Sequence, residues 1–165
     1  MKSGLITSEK GVYVLIIRVP KQSRIKIGFL GKIIFRRGFY AYVGSALNGL
    51  RPRIERHLNN RKRIRWHIDY LLGSSGIIEL IYGISLKREE CKISSYLTEE
   101  LDYIKRFGSS DCKCGSHLFY SDSLPELRKS VLKAFKESDL KPADIKINNR
   151  NGPRSIDREG MRERV

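Results

Sequence analysis

The stretch Gly11-Val12-Tyr13-Val14-Leu15-Ile16-Ile17-Arg18-Val19 is apolar or β-branched at nearly every position, and Pro20 follows it. A strand with one wet face alternates apolar and polar residues. This one does not, so it predicts a strand buried on both faces, at the centre of a sheet. Pro20 has no amide proton to give to a ladder and ends it. Downstream, residues 24–28 and 32–36 are short β-like runs around Phe29-Leu30-Gly31, which predicts a hairpin. Residues 39–44 alternate aromatic and small side chains up to Gly44-Ser45, a further strand.

Helices follow this sheet. Proline is tolerated within a first helical turn, so Pro52 places a helix start near 50–52, with Leu50, Ile54 and Leu58 on its buried side. Ile64, Ile68, Leu71 and Leu72 mark a second helix, ended by Gly73. Residues 77–85 return to a β pattern. The stripe Ile93, Leu97, Leu101, Ile104 predicts a long helix over 87–106. Residues 124–136 form a last amphipathic helix, with Ser123 and Glu126 at capping-box spacing. Past Lys141 the apolar periodicity fades, so 141–165 reads as a basic flexible tail behind a domain over 10–138. The expected class is α/β (α+β): a small, largely antiparallel sheet flanked by helices. There is no internal repeat.

The formal charge of +15 over 165 residues is placed unevenly. Residues 1–72 carry 16 lysines and arginines against 3 acidic residues, whereas 73–165 carry 17 against 15. One basic face suits a polyphosphate backbone, because phosphate contacts release counterions and supply most non-specific affinity. A solubility surface, or adhesion to anionic lipid, gives the same count. No apolar run is long enough to span a bilayer. The first ten residues hold no apolar core of signal-peptide length. Cys91, Cys112 and Cys114 are the only cysteines, too few and too odd in number for a disulfide framework. The expectation is a soluble cytoplasmic protein with no membrane partner.

Three groups of residues suggest chemistry. Arg53, Arg56 and His57 share a helix flank, and such cations repel unless an anion sits among them. A solvated basic face has the same spacing. Tyr13 lies in the apolar strand, and Tyr40 and Tyr42 share one face of the strand entering the arginine helix. A phenol near cations has a lowered pKa and can take a proton from water; a core tyrosine with a satisfied hydroxyl is the alternative. Glu90 falls near the middle of the Ile93/Leu97 stripe, where a carboxylate needs a cation or a metal, unless it remains in water at the helix start. Glu89 falls off that stripe and is held in reserve.

With these residues in view, Gly11-Val12-Tyr13 and Tyr42-Val43-Gly44 resemble the two tripeptides that name the GIY-YIG nuclease superfamily. Ser45-Ala46, then Arg53-Ile54-Glu55-Arg56-His57-Leu58, is similar to its first helix. Residues 66–72 and 107–119 resemble an archaeal and bacterial branch of that superfamily whose function is unsettled. The resemblance covers roughly residues 10–120. The two tripeptides are separated by 28 residues, against about ten in many members, and the hairpin around 29–31 accounts for the excess.

The resemblance implies a catalytic layout. Tyr13 and Tyr42 would flank the attacking water, one of them as general base. Arg53 would stabilise charge at phosphorus, with His57 assisting proton transfer or holding the leaving oxygen. Glu90 would hold Mg²⁺ or Mn²⁺. Arg51, Arg56, Lys62, Arg63 and Arg65 are the candidate phosphate contacts, and His67 and His117 candidate additions to the site. The expected function is metal-dependent endonucleolytic hydrolysis of nucleic acid, DNA rather than RNA. The alternative is a non-catalytic nucleic-acid-binding module on the same scaffold.

Two features carry weaker claims. Cys91, Cys112, Cys114 and His117 can supply four zinc ligands, the basis of a third reading as a zinc-stabilised interaction domain. Cys-x-Cys-x-x-His is an unusual spacing, however, and a loop with buried thiols is favoured over zinc. Trp66, His67 and Tyr70 share a helix face that can stack on bases or, as favoured here, pack beneath the sheet.

Overall fold

The computed structural model describes residues 6–147. The apolar run forms β1 (Gly11–Val19), followed by β2 (Ser23–Lys26), a 3-10 turn (Gly28–Leu30), β3 (Lys32–Phe35) and β4 (Gly38–Ala46). Then come α1 (Leu50–Leu58), α2 (His67–Leu72), β5 (Gly76–Ile84) and α3 (Glu90–Thr98). The remainder is β6 (Asp102–Tyr103), β7 (Leu118–Ser121), α4 (Leu124–Glu137) and β8 (Ala143–Lys146). Six strands form one antiparallel sheet in the order β6-β7-β4-β1-β5-β8, while β2 and β3 pair separately as the hairpin. This is an α+β fold with β1 in the interior of the sheet, where its unbroken apolar run requires it.

Alternation along β1 sends side chains to two cores. Tyr13, Leu15, Ile17 and Val19 face Leu50 and Ile54 of α1, Ile68 and Leu71 of α2, and Ile27 and Phe35 of the hairpin. Val12, Val14 and Ile16 face Ile93 and Leu97 of α3 and Leu127, Val131 and Phe135 of α4. The elements carrying Arg24, Lys26, Lys32, Arg61, Arg63 and Arg65, all exposed, therefore lie on the α1 side of the sheet.

Several boundaries differ from the sequence reading. The helix expected over 87–106 stops at Thr98, because its stripe is divided between the two cores: Ile93 and Leu97 pack beside α4, whereas Ile104 packs on the α1 side. Ile64 is half exposed in the loop before α2, so that helix begins only at His67. The segment taken as the start of a tail forms β8 on β5, so the folded region runs past Lys141. Buried Glu79 of β5 helps hold this edge, accepting from Arg128 of α4 at 2.8 and 3.0 Å and pairing with Lys146 of β8 at 3.1 Å. Residues 148–165 of the expected tail lie outside the described residues.

Candidate active site

Tyr13 and Gly44 are directly opposed partners in the β1–β4 ladder. A Cβ on Gly44 would stand 2.5 Å from Tyr13 Oη and 2.6 Å from its Cζ, so the phenol lies over a position that only hydrogen can occupy. Gly11 is under the same constraint, since its Cβ would meet the Gly83 carbonyl oxygen at 2.3 Å. The glycine of each tripeptide is thus a clearance. Gly44→Ala overpacks a fully buried ring and is expected to lower stability by about 2 kcal/mol, measured by urea denaturation.

Tyr42 lies two residues before Gly44 on the same face. A cavity of about 350 Å³ opens beside them, lined by Tyr13, Tyr42, Arg53, Arg65, Glu90 and His117, with Ser45, His67, Arg88, Ser110 and Asp111 also on its polar wall. Residues far apart in sequence are therefore brought together, including Tyr13, Tyr42, Arg53 and Glu90 of the expected layout, whereas His57, the fifth, is not on the wall. Ser45, Arg88 and Asp111 are additions that the sequence reading missed. Ser45 follows the second tripeptide directly, which was the one available signal.

Arg53, Arg56 and His57 diverge despite their shared flank. Arg53 reaches the cavity wall, where its Nη1 donates to the Ser45 carbonyl at 2.9 Å and its guanidinium lies 4.8 Å from the Trp66 ring centroid. Arg56 turns away, donating to both carboxylate oxygens of Asp69 at 3.1 and 2.9 Å, with Trp66 4.1 Å beneath it. The anion expected among these cations is a buried residue of α2, and Arg56 is a structural clamp in place of a phosphate contact. His57 points inward, sharing a 2.7 Å hydrogen bond through Nε2 with Tyr13 Oη.

His57 is 2 % exposed, its Nδ1 has no partner among the described residues, and it does not line the cavity. Burial, reinforced by Lys62, pushes its pKa down to about 3. It is therefore neutral, and Tyr13 Oη is the one hydrogen-bond partner of its ring among the described residues. An unfolded imidazole titrates near 6.5, so between the two values the unfolded chain binds the extra proton. The contribution of neutral His57 is full above about pH 6.5 and is lost as pH falls toward 3, with a slope of about 1.4 kcal/mol per pH unit. Urea unfolding near pH 7 and near pH 5 is expected to show this loss in wild type and a shallower one in His57→Gln.

The tyrosines also depart from expectation. Burial pushes Tyr13 up to about 12 and Tyr42 higher still, and Arg53 offsets only part of it. Neither is a phenol with a lowered pKa, because desolvation outweighs the nearby cations. Tyr42 lines the cavity, where its hydroxyl can bond to water or another polar group.

Glu90 opens α3 and is half-buried. Burial alone would raise its pKa, but bonds from the Ser45 hydroxyl and from Arg88, 3.1 Å away, hold the carboxyl below the ordinary range. An ionised carboxylate on the cavity wall, with Asp111 a second oxygen donor on that wall, fits a hard cation that binds few protein oxygens and keeps its water. Glu89 faces elsewhere, accepting from Ser85 Oγ at 3.3 Å.

The other candidates divide. Arg65 lines the cavity, and Arg63 is exposed and not part of its wall. Arg51 Nε donates to the Ile6 carbonyl at 2.8 Å, and Lys62 Nζ donates to the carbonyls of His57 and Asn59 at the end of α1. Both are structural in the free protein. His67 accepts from the Gly108 N–H at 2.9 Å, holding the 107–117 loop against Tyr42. His117 bonds Ser94 Oγ through Nδ1 at 2.7 Å and lies 3.2 Å from Cys112 Sγ through Nε2. The expected burial of the thiols does not hold: Cys91 is exposed and the other two are partly so.

Fold and cavity together define a basic, antiparallel α+β domain with phenols, a guanidinium and a carboxylate around one opening. The chain belongs to the family described as domain of unknown function DUF123, whose model matches residues 12–140. No curated protein and no solved structure matches it. No helix among the described residues is long and apolar enough to cross a membrane.

Proposed function

We propose that this protein is a divalent-metal-dependent endonuclease of the GIY-YIG kind, cleaving phosphodiester bonds in DNA. The observation that carries the reading is the convergence of Tyr13, Tyr42, Arg53 and Glu90 on one cavity from β1, β4, α1 and α3. A phosphodiester is a monoanion whose hydrolysis builds negative charge on oxygen, and fixed positive groups are what such a reaction needs.

Tyr42 and Tyr13 hold the attacking water as neutral hydrogen-bonding groups. Tyr13 accepts the water proton as it hands its own to His57 Nε2, so no tyrosinate has to form. The imidazolium that burial disfavours in the free protein gains a nearby phosphate as counter-charge. Arg53 bears on the equatorial phosphate oxygens. A Mg²⁺ or Mn²⁺ ion at Glu90, with Asp111 nearby, would add positive charge beside the phosphate. Arg65 and the exposed cations on the α1 side track the backbone beyond the scissile bond.

A non-catalytic nucleic-acid-binding module on the same scaffold needs only those surface cations. The test is a cleavage screen over supercoiled, linear, branched and single-stranded DNA and over RNA, with Mg²⁺, with Mn²⁺ and with chelator. Cleavage of at least one DNA form that stops on chelation supports the enzyme. Salt-sensitive binding without cleavage of any substrate supports the module.

A further inference from the structure

Beside the cavity, three thiols and an imidazole converge from two elements. Cys91 stands in the first turn of α3, immediately after Glu90. Cys112, Cys114 and His117 come from the loop that enters β7. One ligand atom from each lies within 4.8 Å of every other, and no disulfide joins the cysteines. We propose that Cys91, Cys112, Cys114 and His117 bind one Zn²⁺ as a closed structural centre, which fastens the loop over the cavity to the helix carrying Glu90.

Size supports a single ion. With Zn–S near 2.3 Å and Zn–N near 2.0 Å, a tetrahedral site sets its ligand atoms about 3.5–3.8 Å apart. Side-chain shifts of under about 1 Å therefore close the observed cluster around a metal. Donor softness supports zinc: thiolates with imidazole suit it, whereas Mg²⁺ and Ca²⁺ take oxygen ligands. Iron–sulfur clusters generally take four cysteines, and this chain has three. The histidine is oriented for the role. Its Nδ1 bonds the fully buried Ser94 hydroxyl, which fixes the ring and directs Nε2 at the sulfurs, as outer partners do in zinc sites.

The loop also needs such a tie. It is closed at its base by Arg106 N–H to the Gly115 carbonyl at 2.7 Å and His117 N–H to the Phe107 carbonyl at 2.8 Å. Between these, residues 109–114 form no helix or strand. Four protein ligands leave no open position, so the centre is structural and distinct from the oxygen site at Glu90. The irregular Cys-x-Cys-x-x-His spacing is explained because the fold brings the fourth ligand from α3. The proposal does not depend on the nuclease reading.

The test is elemental analysis of the full chain purified without chelator, with Co²⁺ exchange as a spectroscopic check. The expected result is one zinc per chain and, with Co²⁺, the intense visible bands of a tetrahedral thiolate centre. Cys112→Ser combined with Cys114→Ser removes both signals. Ser94→Ala weakens zinc binding by about 10–100-fold in competition with a chromophoric chelator. Glu90→Gln keeps its zinc, which separates this centre from the proposed catalytic cation. Zinc in wild type no higher than in the double cysteine variant overturns the proposal, as does a weak octahedral Co²⁺ spectrum. The Co²⁺ titration of wild type decides alone if the double variant does not fold. A loaded zinc centre in a protein that cleaves nothing leaves the centre standing and removes the nuclease.

Discussion

Arg53→Ala is expected to cleave DNA about 10²–10³-fold more slowly than wild type, the loss seen when one preorganised charge-stabilising donor is removed. Its neighbour in sequence shows why this guanidinium is the one available. Arg56 is paired with Asp69, whereas Arg53 has no carboxylate within ion-pair distance among the described residues. Arg53 is held by a carbonyl and an aromatic face, which fix its position without neutralising its charge. On the proposed reading, the charge that would stabilise the reaction is therefore fixed in the free protein. Losing the Ser45 contact costs about 1 kcal/mol of stability, so the variant stays folded. Single-turnover cleavage beside a melting curve checks both halves. A lysine supplies charge without the planar fork and is expected to recover only part of the rate.

Asp69→Ala produces the largest expected loss of stability, about 3 kcal/mol or more. The Asp69 side chain is fully buried and accepts four hydrogen bonds: two from Arg56 and one each from the backbone N–H groups of Arg65 and Trp66, at 2.9 and 3.0 Å. Removing it leaves two amides unpaired and a partly buried guanidinium held only by the Arg63 carbonyl and the Trp66 ring, with no counter-charge. Burial alone would raise the Asp69 pKa, but the Arg56 and backbone bonds outweigh it and hold the carboxyl below the usual range. Its stabilisation is therefore present above the unfolded carboxylate pKa near 3.9 and is lost as pH falls through the lower folded value. Trp66 is the only tryptophan, so its fluorescence reports on this clamp directly. Denaturant unfolding followed at that signal is expected to show a lower midpoint for Asp69→Ala, and a loss of stability with acid that is shallower in Asp69→Asn than in wild type.

These two residues also mark where the sequence was legible. β1 and β4 were readable because a strand buried on both faces has a composition little else has, and α1 because Pro52 fixes its start. Helix α3 was overextended because periodicity cannot reveal that Ile93 and Ile104 lie on opposite sides of a sheet. β8 was missed because an edge strand such as Ala-Asp-Ile-Lys exposes most of its side chains and carries no apolar signal. Short β7, within Leu118-Phe119-Tyr120-Ser121, is nearly all buried, so it lacks the alternation by which strands are read.

The site shows the same division. Tyr13, Tyr42, Arg53, His57 and Glu90 were named from motif and spacing, and the fold brings all of them except His57 to the wall of one cavity. What surrounds them was not legible. Arg56 could be separated from Arg53 only once Asp69 was seen to be buried beneath it. The phenol pKa values could not be signed correctly without knowing that desolvation exceeds the pull of the cations. Asp111 sits in an irregular loop that only the fold aims at the cavity.

The most direct test of the central claim is nicking of supercoiled plasmid by wild type and Glu90→Gln, each measured beside equilibrium binding to the same DNA. Glu90 contributes a carboxylate to the cavity wall, and glutamine keeps its shape without its charge. The account predicts Mg²⁺-dependent nicking by wild type and none by the variant, with binding equal in both. Equal nicking by the two proteins, or binding by wild type without nicking under Mg²⁺ or Mn²⁺, would contradict it.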